Sequence, residues 1–180
     1  EQILANEHYQ AAMQGLDLPH NIYAHIAGID LIRHSDGTYY VLEDNLRTPS
    51  GVSYMLENRK MTERLFPELL AKHKVEPVAQ YPEYLKATLL EAANKQAVNI
   101  AVLTPGRFNS AFFEHAFLAR SMGVNLVGGS DLVVIDDVVY MKTIAGLQKV
   151  DVIYRRLDDA FIDPLAFNPQ SMLGVAGLMS

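Results

Sequence analysis

A run of polar side chains directly follows a strand-forming segment in the first third of the chain. Residues 39–42 are aromatic, β-branched or aliphatic, which favours a half-buried strand. Glu43 and Asn45 follow two positions apart, so their side chains point to the same face of that strand. Arg47 comes next, at the strand exit. An anionic oxygen, a neutral oxygen and a fixed cation suit a Mg²⁺–phosphate site, because Mg²⁺ takes hard oxygen ligands and leaves positions for water and phosphate.

A second carboxylate is expected to face Glu43 across a β-hairpin. Residues 26–33 form an apolar strand candidate, and the Asp-Gly pair at 36–37 tolerates the positive φ angles of a tight hairpin turn. Counting outward from this turn brings Asp30 within a few residues of Glu43. Asp30 has apolar neighbours, an unusual place for a carboxylate without a partner or a metal ion. Asp30, Glu43 and Asn45 are therefore candidate metal ligands, and a solvated hairpin face is the competing interpretation.

The loop after this strand supplies the other candidate groups of the same pocket. Arg47 has the planar cation that grips a phosphate or a carboxylate. Thr48 and Ser50 can line the pocket with their hydroxyl groups, and an ordinary surface turn is the alternative. Asp30 and Glu43 could formally serve as a glycosidase carboxylate pair. Their neighbours Asn45 and Arg47 suit metal and phosphate better.

Two candidates for substrate contact lie later in the chain. Glu114 is the acid of a helix predicted over residues 110–122, and we expect it to be solvated. Arg155 and Arg156 end a predicted strand and point to opposite faces. One of the two is expected at the surface or in a salt bridge, and the other, taken as Arg156, meets an acidic substrate or a phosphate.

Composition restricts the class of protein. The chain has 180 residues, 49% hydrophobic and 20% charged, as in ordinary globular proteins. A net charge of −6 argues against a nucleic-acid surface, which needs a basic stripe. No apolar run approaches the roughly 20 residues of a membrane helix, and the first residues are too polar for a signal peptide. The absence of Cys is compatible with a reducing cytoplasm, which is the expected location.

The order of predicted elements indicates an α/β protein. Strand, helix and strand over residues 100–127 form an expected parallel βαβ unit. We therefore expect an α+β region with the metal-binding hairpin at 1–80, followed by a Rossmann-like, doubly wound α/β domain at 81–180. The other predicted elements are a helix within 1–20, a helix over 52–70 with Met55, Leu56, Met61, Leu65 and Leu69 inward, a helix over 83–95, a hairpin over 133–143 and a strand over 150–156.

The two ends of the chain look cut. Residue 1 is Glu rather than Met, in what reads as the middle of a helix, and the chain stops after an apolar run. We expect an excised piece of a longer protein, with function only partly present.

Several segments together resemble the circularly permuted ATP-grasp proteins, and are similar to the ligase half of glutathionylspermidine synthase. The run Glu-x-Asn-x-Arg-Thr-Pro-Ser-Gly at 43–51 is the most specific of them. The resemblance extends from about residue 23 to 167. Its other segments are residues 27–30, the 36–37 turn, and residues 113–119, 131–132, 152–156 and 163–165.

The resemblance implies an ATP-dependent ligase that joins a small-molecule carboxylate to an amine through an acyl phosphate. It implies Mg²⁺ held by Asp30, Glu43 and Asn45, with Arg47 as the catalytic group that contacts the acyl phosphate or γ-phosphate. Thr48 and Ser50 become candidates for cofactor contact. The Lys-bearing nucleotide clamp of the family would lie beyond residue 180, so we expect no ligase activity from the isolated chain.

Two other function classes stay open at this point. One is a non-catalytic α/β domain that binds a small acidic or peptide ligand. The other is an interaction module, for which the apolar residues Leu173, Val175 and Leu178 would supply exposed surface. The sequence names neither the amine nor the acid, and it leaves the oligomeric state open.

Overall fold

A computed structural model describes residues 4–6, 9, 14–93 and 98–180. The helix predicted within 1–20 and the end of the helix predicted to residue 95 fall mainly outside these residues. The structure confirms the α/β class. Its strands are β1 Gly28–Arg33, β2 Tyr39–Asn45, β3 Ile100–Leu103, β4 Asn125–Val127, β5 Leu132–Ile135, β6 Val138–Thr143, β7 Gly146–Lys149 and β8 Val152–Arg155. Its α-helices are α1 Val52–Leu65, α2 Pro67–His73, α3 Tyr81–Ala93, α4 Phe112–Met122 and α5 Asp159–Ile162.

A three-stranded parallel sheet in the order β4-β3-β8 forms the centre of the core. All four residues of β3 are buried, because this strand is paired on both edges and covered on both faces. Ile100 and Val102 face a cluster with α1, α3 and α4. Ala101 and Leu103 belong to a second cluster on the opposite face. The predicted parallel βαβ unit is confirmed.

The two faces of this sheet carry different layers. Helices cover one face, where Leu56 of α1, Leu85 of α3 and Phe117 of α4 pack together. The other face meets the antiparallel sheet β5-β6-β7 through Leu132 and Met141. The short helix α5 also contributes Ile162 to this second face. The division at residue 80 stays a prediction.

A buried carboxylate fixes the last turn of the chain against this second face. The Asp163 side chain accepts hydrogen bonds from the backbone N–H groups of Leu165, Gly177 and Met179, at 2.8, 3.1 and 2.9 Å. Desolvation opposes ionisation, but these amide hydrogen bonds prevail and lower the pKa of Asp163 below its usual value. Val175 in this segment is 4% exposed, so the expectation of an exposed apolar surface there is wrong for Val175.

The hairpin β1–β2 forms as predicted, but it is not half-buried. Every residue of β2 is exposed, including Tyr39 at 65% and Tyr40 at 52%. The expectation that this strand is half-buried, with its aromatic rings packed in a core, is therefore wrong. The neighbours of Asp30 are exposed too, with Ile29 at 54% and Leu31 at 57%, which removes the apolar surroundings inferred for that carboxylate. Two strands alone cannot bury a face. Nothing else within the described residues pairs with them.

The helix predicted over 52–70 is divided at Phe66. Pro67 lacks the N–H that would continue α1, so it starts α2 instead. Of the five residues predicted to face inward, Leu56 is buried; Met55, Met61, Leu65 and Leu69 are at least 39% exposed.

The hairpin predicted around Asp136 and Asp137 is confirmed by their φ angles of 50° and 61°. Strand β7, which was not predicted, adds a third strand to it. None of the helices in the described part of the chain has the length and apolar character needed to cross a membrane.

Candidate functional site

The hairpin register places the two predicted acidic ligands directly opposite each other. Asp30 of β1 pairs with Glu43 of β2, and Gly28 pairs with Asn45. Side chains at directly opposed positions leave the sheet on the same face with Cβ atoms roughly 5 Å apart. The register shifts just after Asp30, at a bulge between Asp30 and Leu31. The turn between the strands and the alternation of β2 therefore bring Asp30, Glu43 and Asn45 into one cluster, although Asp30 and Asn45 are 15 residues apart in the chain.

The amide of Asn45 lies between the two carboxylates. Its Nδ2 donates to Asp30 Oδ2 and to Glu43 Oε1, each at 3.4 Å. The amide nitrogen thus lies between two anionic oxygens, where a cation would also be stabilised. Rotation of the Asn45 amide by 180° would direct Oδ1, an acceptor, to this position instead. The set then offers two carboxylates and one carbonyl oxygen, the hard donors that Mg²⁺ accepts. The residues thus fit a magnesium ion, and all three are exposed, which leaves room for water and phosphate ligands.

The trio contains only two acidic side chains, because its third member, Asn45, is an amide. No group of three or more His, Asp or Glu side chains able to hold a metal ion occurs in the part of the chain that the structure describes. The third member of the trio is an amide, and the candidate metal site depends on it. The assignment of Asp30, Glu43 and Asn45 as metal ligands stays a prediction.

A polar cleft of about 500 Å³ adjoins the trio. It is lined by Asp30, Asn45, Arg47, Thr48 and Ser50, together with four other residues of the hairpin and the loop that follows it. The structure therefore gathers five of the predicted site residues around one open space. Their roles as ligands of phosphate or nucleotide stay predictions.

Arg47 lines this cleft, and its guanidinium group is held by two acids at the start of α5. Its Nη1 lies 3.1 Å from Asp158 Oδ2, and its Nε lies 3.7 Å from Asp159 Oδ2. Arg155 binds the same Asp159 at 2.5 Å, so the predicted salt-bridge role of one of the two consecutive arginines is present. These exposed pairs contribute little stability, about 0–1 kcal/mol each. Their effect is to orient Arg47 rather than to hold the fold together.

Glu114 and Arg156 form an ion pair in the interior, which corrects the expectation that Glu114 is solvated. Glu114 Oε1 accepts from Arg156 Nη2 at 3.2 Å, and the two side chains are 1% and 2% exposed. Residue 114 lies in the first turn of α4, where a carboxylate is favoured by the helix dipole. Arg156 follows β8, at the carboxyl edge of the parallel sheet. Their roles as substrate contacts stay predictions, and each already has the other as a partner.

A neutral histidine completes this interior group. His115 Nδ1 lies 2.8 Å from Thr104 Oγ1, at the carboxyl end of β3. Burial, and then the positive charge of Arg156, lower the pKa of His115 from 6.5 to about 4, while Glu114 acts in the opposite direction. The imidazole is therefore uncharged near neutral pH. Through this contact Thr104 anchors α4 to the carboxyl end of β3.

Sequence reasoning missed partners of two predicted site residues, Glu114 and Arg47. Ser53 binds Glu114, and Asp158 and Asp159 bind Arg47. Consecutive acids ahead of a short helix are a visible signal for an N-cap, and Asp158 does accept a hydrogen bond from Ala160 N. No local signal connects residue 47 to residue 158, which are 111 positions apart.

Comparisons with known proteins support the resemblance at the level of the circularly permuted ATP-grasp family. An uncharacterized protein of Mycobacterium tuberculosis is 52% identical over 176 residues, which cover 97% of this chain and 32% of that protein. An uncharacterized protein of Synechocystis is 53% identical over 167 residues, 92% of this chain and 35% of that protein. A Frankia casuarinae protein named "Putative glutamate–cysteine ligase 2-2" is 44% identical over 145 residues, 78% of this chain and 17% of that protein.

The chain spans about a third of the length of the first of these relatives. The family model described as "a circularly permuted ATPgrasp" matches residues 1–180, the whole chain. The chain therefore belongs to the circularly permuted ATP-grasp family.

Proposed function

We propose that this chain supplies the metal-binding hairpin and the supporting α/β layer of an ATP-dependent carboxylate–amine ligase. The observation that carries the proposal is the cross-strand pairing of Asp30 with Glu43, with Asn45 between them and Arg47 beside them. Membership of the family supports the use of ATP. The name of the Frankia casuarinae relative, a putative glutamate–cysteine ligase, supports the formation of an amide bond.

The proposed reaction has two steps. A carboxylate oxygen of the acid attacks the γ-phosphorus of ATP, the bond to the bridging oxygen breaks, and ADP leaves. The neutral amine then attacks the acyl carbon, phosphate leaves with the oxygen that linked it to that carbon, and the proton lost by the amine ends on the phosphate. Each step requires charge on phosphate oxygens to be neutralised where it develops.

The residues of the chain divide this work. Asp30, Glu43 and Asn45 would hold Mg²⁺, which supplies positive charge to the phosphate oxygens. Arg47 provides a second, permanent positive charge in the same cleft, and its planar group can donate two parallel hydrogen bonds to a phosphate. Thr48 and Ser50 can donate hydroxyl hydrogen bonds to the same anion. The similarity to glutathionylspermidine synthase in particular remains part of this proposal.

The test is calorimetric titration of Mg²⁺ with ATP or ADP into the chain and into the complete protein. Glu43→Ala is expected to abolish Mg²⁺-dependent nucleotide binding, because it removes one of two metal carboxylates. The control is Glu57→Ala, which removes an exposed acid on α1 whose partner is Lys60 and leaves the hairpin intact. Absence of binding to the folded, complete protein would refute the ligase proposal and favour a domain that binds another small ligand. If Glu43→Ala and Glu57→Ala bound Mg²⁺ and nucleotide equally well, only the proposed metal site would be refuted.

A further inference from the structure

The amino terminus of α1 begins on a residue that cannot cap it. Gly51 occupies the N-cap position with a φ of 114° and has no side chain to accept from the first amide groups. An oxygen from another helix takes that role. Glu114 Oε2 accepts from Gly51 N at 2.7 Å, from Ser53 N at 3.0 Å and from Ser53 Oγ at 3.0 Å. Helix α1 is thus capped by a carboxylate some 60 residues away in the chain.

The two oxygens of Glu114 have separate partners. Oε1 faces the guanidinium of Arg156, and Oε2 serves the start of α1. Arg156 is itself fixed, since its Nη1 donates to the Tyr154 hydroxyl at 3.2 Å and its group lies over the Tyr154 ring. A lone carboxylate in this interior would be strongly unfavourable. Arg156 therefore supplies the counter-charge that allows Glu114 to stay buried where α1 begins.

The segment between Arg47 and Gly51 is consequently held at both ends. At one end Arg47 binds Asp158 and Asp159 of the α5 region. At the other end Gly51 binds Glu114 of α4. The residues between these anchors include Thr48 and Ser50, which line the cleft beside the hairpin.

We propose that Glu114, with Arg156 as its counter-charge, is the positioning residue for the loop that carries Arg47, Thr48 and Ser50. Glu114 acts on the cleft through the amide groups of α1 and does not itself need to touch a ligand. The consequence for nucleotide binding rests on the proposed function, whereas the anchoring of the loop does not.

Two double variants separate the hydrogen-bond acceptor from the charge. Glu114→Leu with Arg156→Met removes both charges together and leaves the loop amides without an acceptor. Glu114→Gln with Arg156→Met also removes both charges but keeps an amide oxygen that can accept from them. Neither leaves a buried unpaired ion, the usual reason for such variants to fail to fold. Ser53→Ala is a milder variant that deletes one of the three donors to Glu114 Oε2, and Glu57→Leu is the surface control.

The first readout is amide hydrogen exchange at Gly51 and Ser53, measured relative to the buried strand β3. The Leu/Met variant is expected to exchange about tenfold faster at both amides, the equivalent of one lost hydrogen bond, with β3 unchanged. The Gln/Met variant and Glu57→Leu are expected to stay near wild type. Unchanged exchange in the Leu/Met variant would overturn the anchoring role, and so would equal acceleration in Gln/Met.

The second readout is the Kd for Mg²⁺-dependent nucleotide binding by the complete protein. It is expected to rise about tenfold in Leu/Met and little in Gln/Met, because only the former releases the loop. Faster exchange with unchanged Kd would overturn the link between the anchor and the cleft. If the wild-type protein binds no nucleotide, the proposed function fails, and the exchange comparison still decides whether Glu114 anchors the loop.

Discussion

Acid is expected to destabilise this protein through His115. The side chain is 1% exposed and accepts from, or donates to, Thr104 Oγ1 at 2.8 Å. Burial and the neighbouring Arg156 lower its pKa from 6.5 to about 4, against the opposing effect of Glu114. The folded protein therefore keeps this imidazole neutral down to about pH 4, whereas the unfolded chain protonates it near pH 6.5.

The sign and size of the effect follow from proton linkage. Between pH 6.5 and about 4 the unfolded state binds more protons, so stability is complete above pH 6.5 and declines as the pH falls. With about 1.4 kcal/mol for each pKa unit, the loss from pH 7 to pH 5 is about 2 kcal/mol and approaches about 3 kcal/mol near pH 4. Well below pH 4 both states are protonated, and His115 causes no further loss there.

The assay is urea unfolding at pH 7, 6 and 5 for wild type and His115→Asn. The asparagine places an amide nitrogen near the position of Nδ1 and does not titrate. The variant is expected to be less stable at pH 7, and the difference should shrink by about 2 kcal/mol at pH 5. All other acids titrate in both proteins and cancel in the comparison. A difference that stays constant across this range would refute the inference that a buried, neutral His115 controls the acid response.

Two further substitutions test the packing that closes the core. Asp163→Ala removes the carboxylate that accepts three backbone N–H hydrogen bonds, and it is expected to lower the free energy of unfolding by roughly 3 kcal/mol or more. Asp137→Asn, a substitution in an exposed turn, is the control. A loss of free energy below about 1 kcal/mol in Asp163→Ala would contradict this expectation. Gly174→Ala would place a Cβ against the carbonyl oxygen of Phe161, so the melting temperature should fall by several degrees. In Gly128→Ala, the control, the new Cβ meets only ordinary van der Waals contacts. Equal melting temperatures for the two glycine variants would show that the chain relaxes freely there.

Local sequence signals sufficed where the physics is local. The Asp-Gly pair at 36–37 determined the hairpin, and the period of two along β2 placed Glu43 and Asn45 on one face. The apolar run Ile100–Leu103 and the glycine after Met122 likewise defined β3 and the end of α4. Each depends on backbone preferences within a few residues.

Tertiary structure alone decided which of these groups meet and which are buried. Glu114 reads as a surface acid on its helix, and only the return of β8 beside β3 brings Arg156 to it. The burial of Glu114 then determines the start of α1, because Gly51 has no side chain of its own for that purpose. Conversely, the apolar residues of the hairpin are exposed, because two strands cannot bury a face by themselves. The alternation within a strand does not predict whether a second layer covers it. Burial and ion pairing between distant residues depend on how elements pack, and packing is a property of the whole fold.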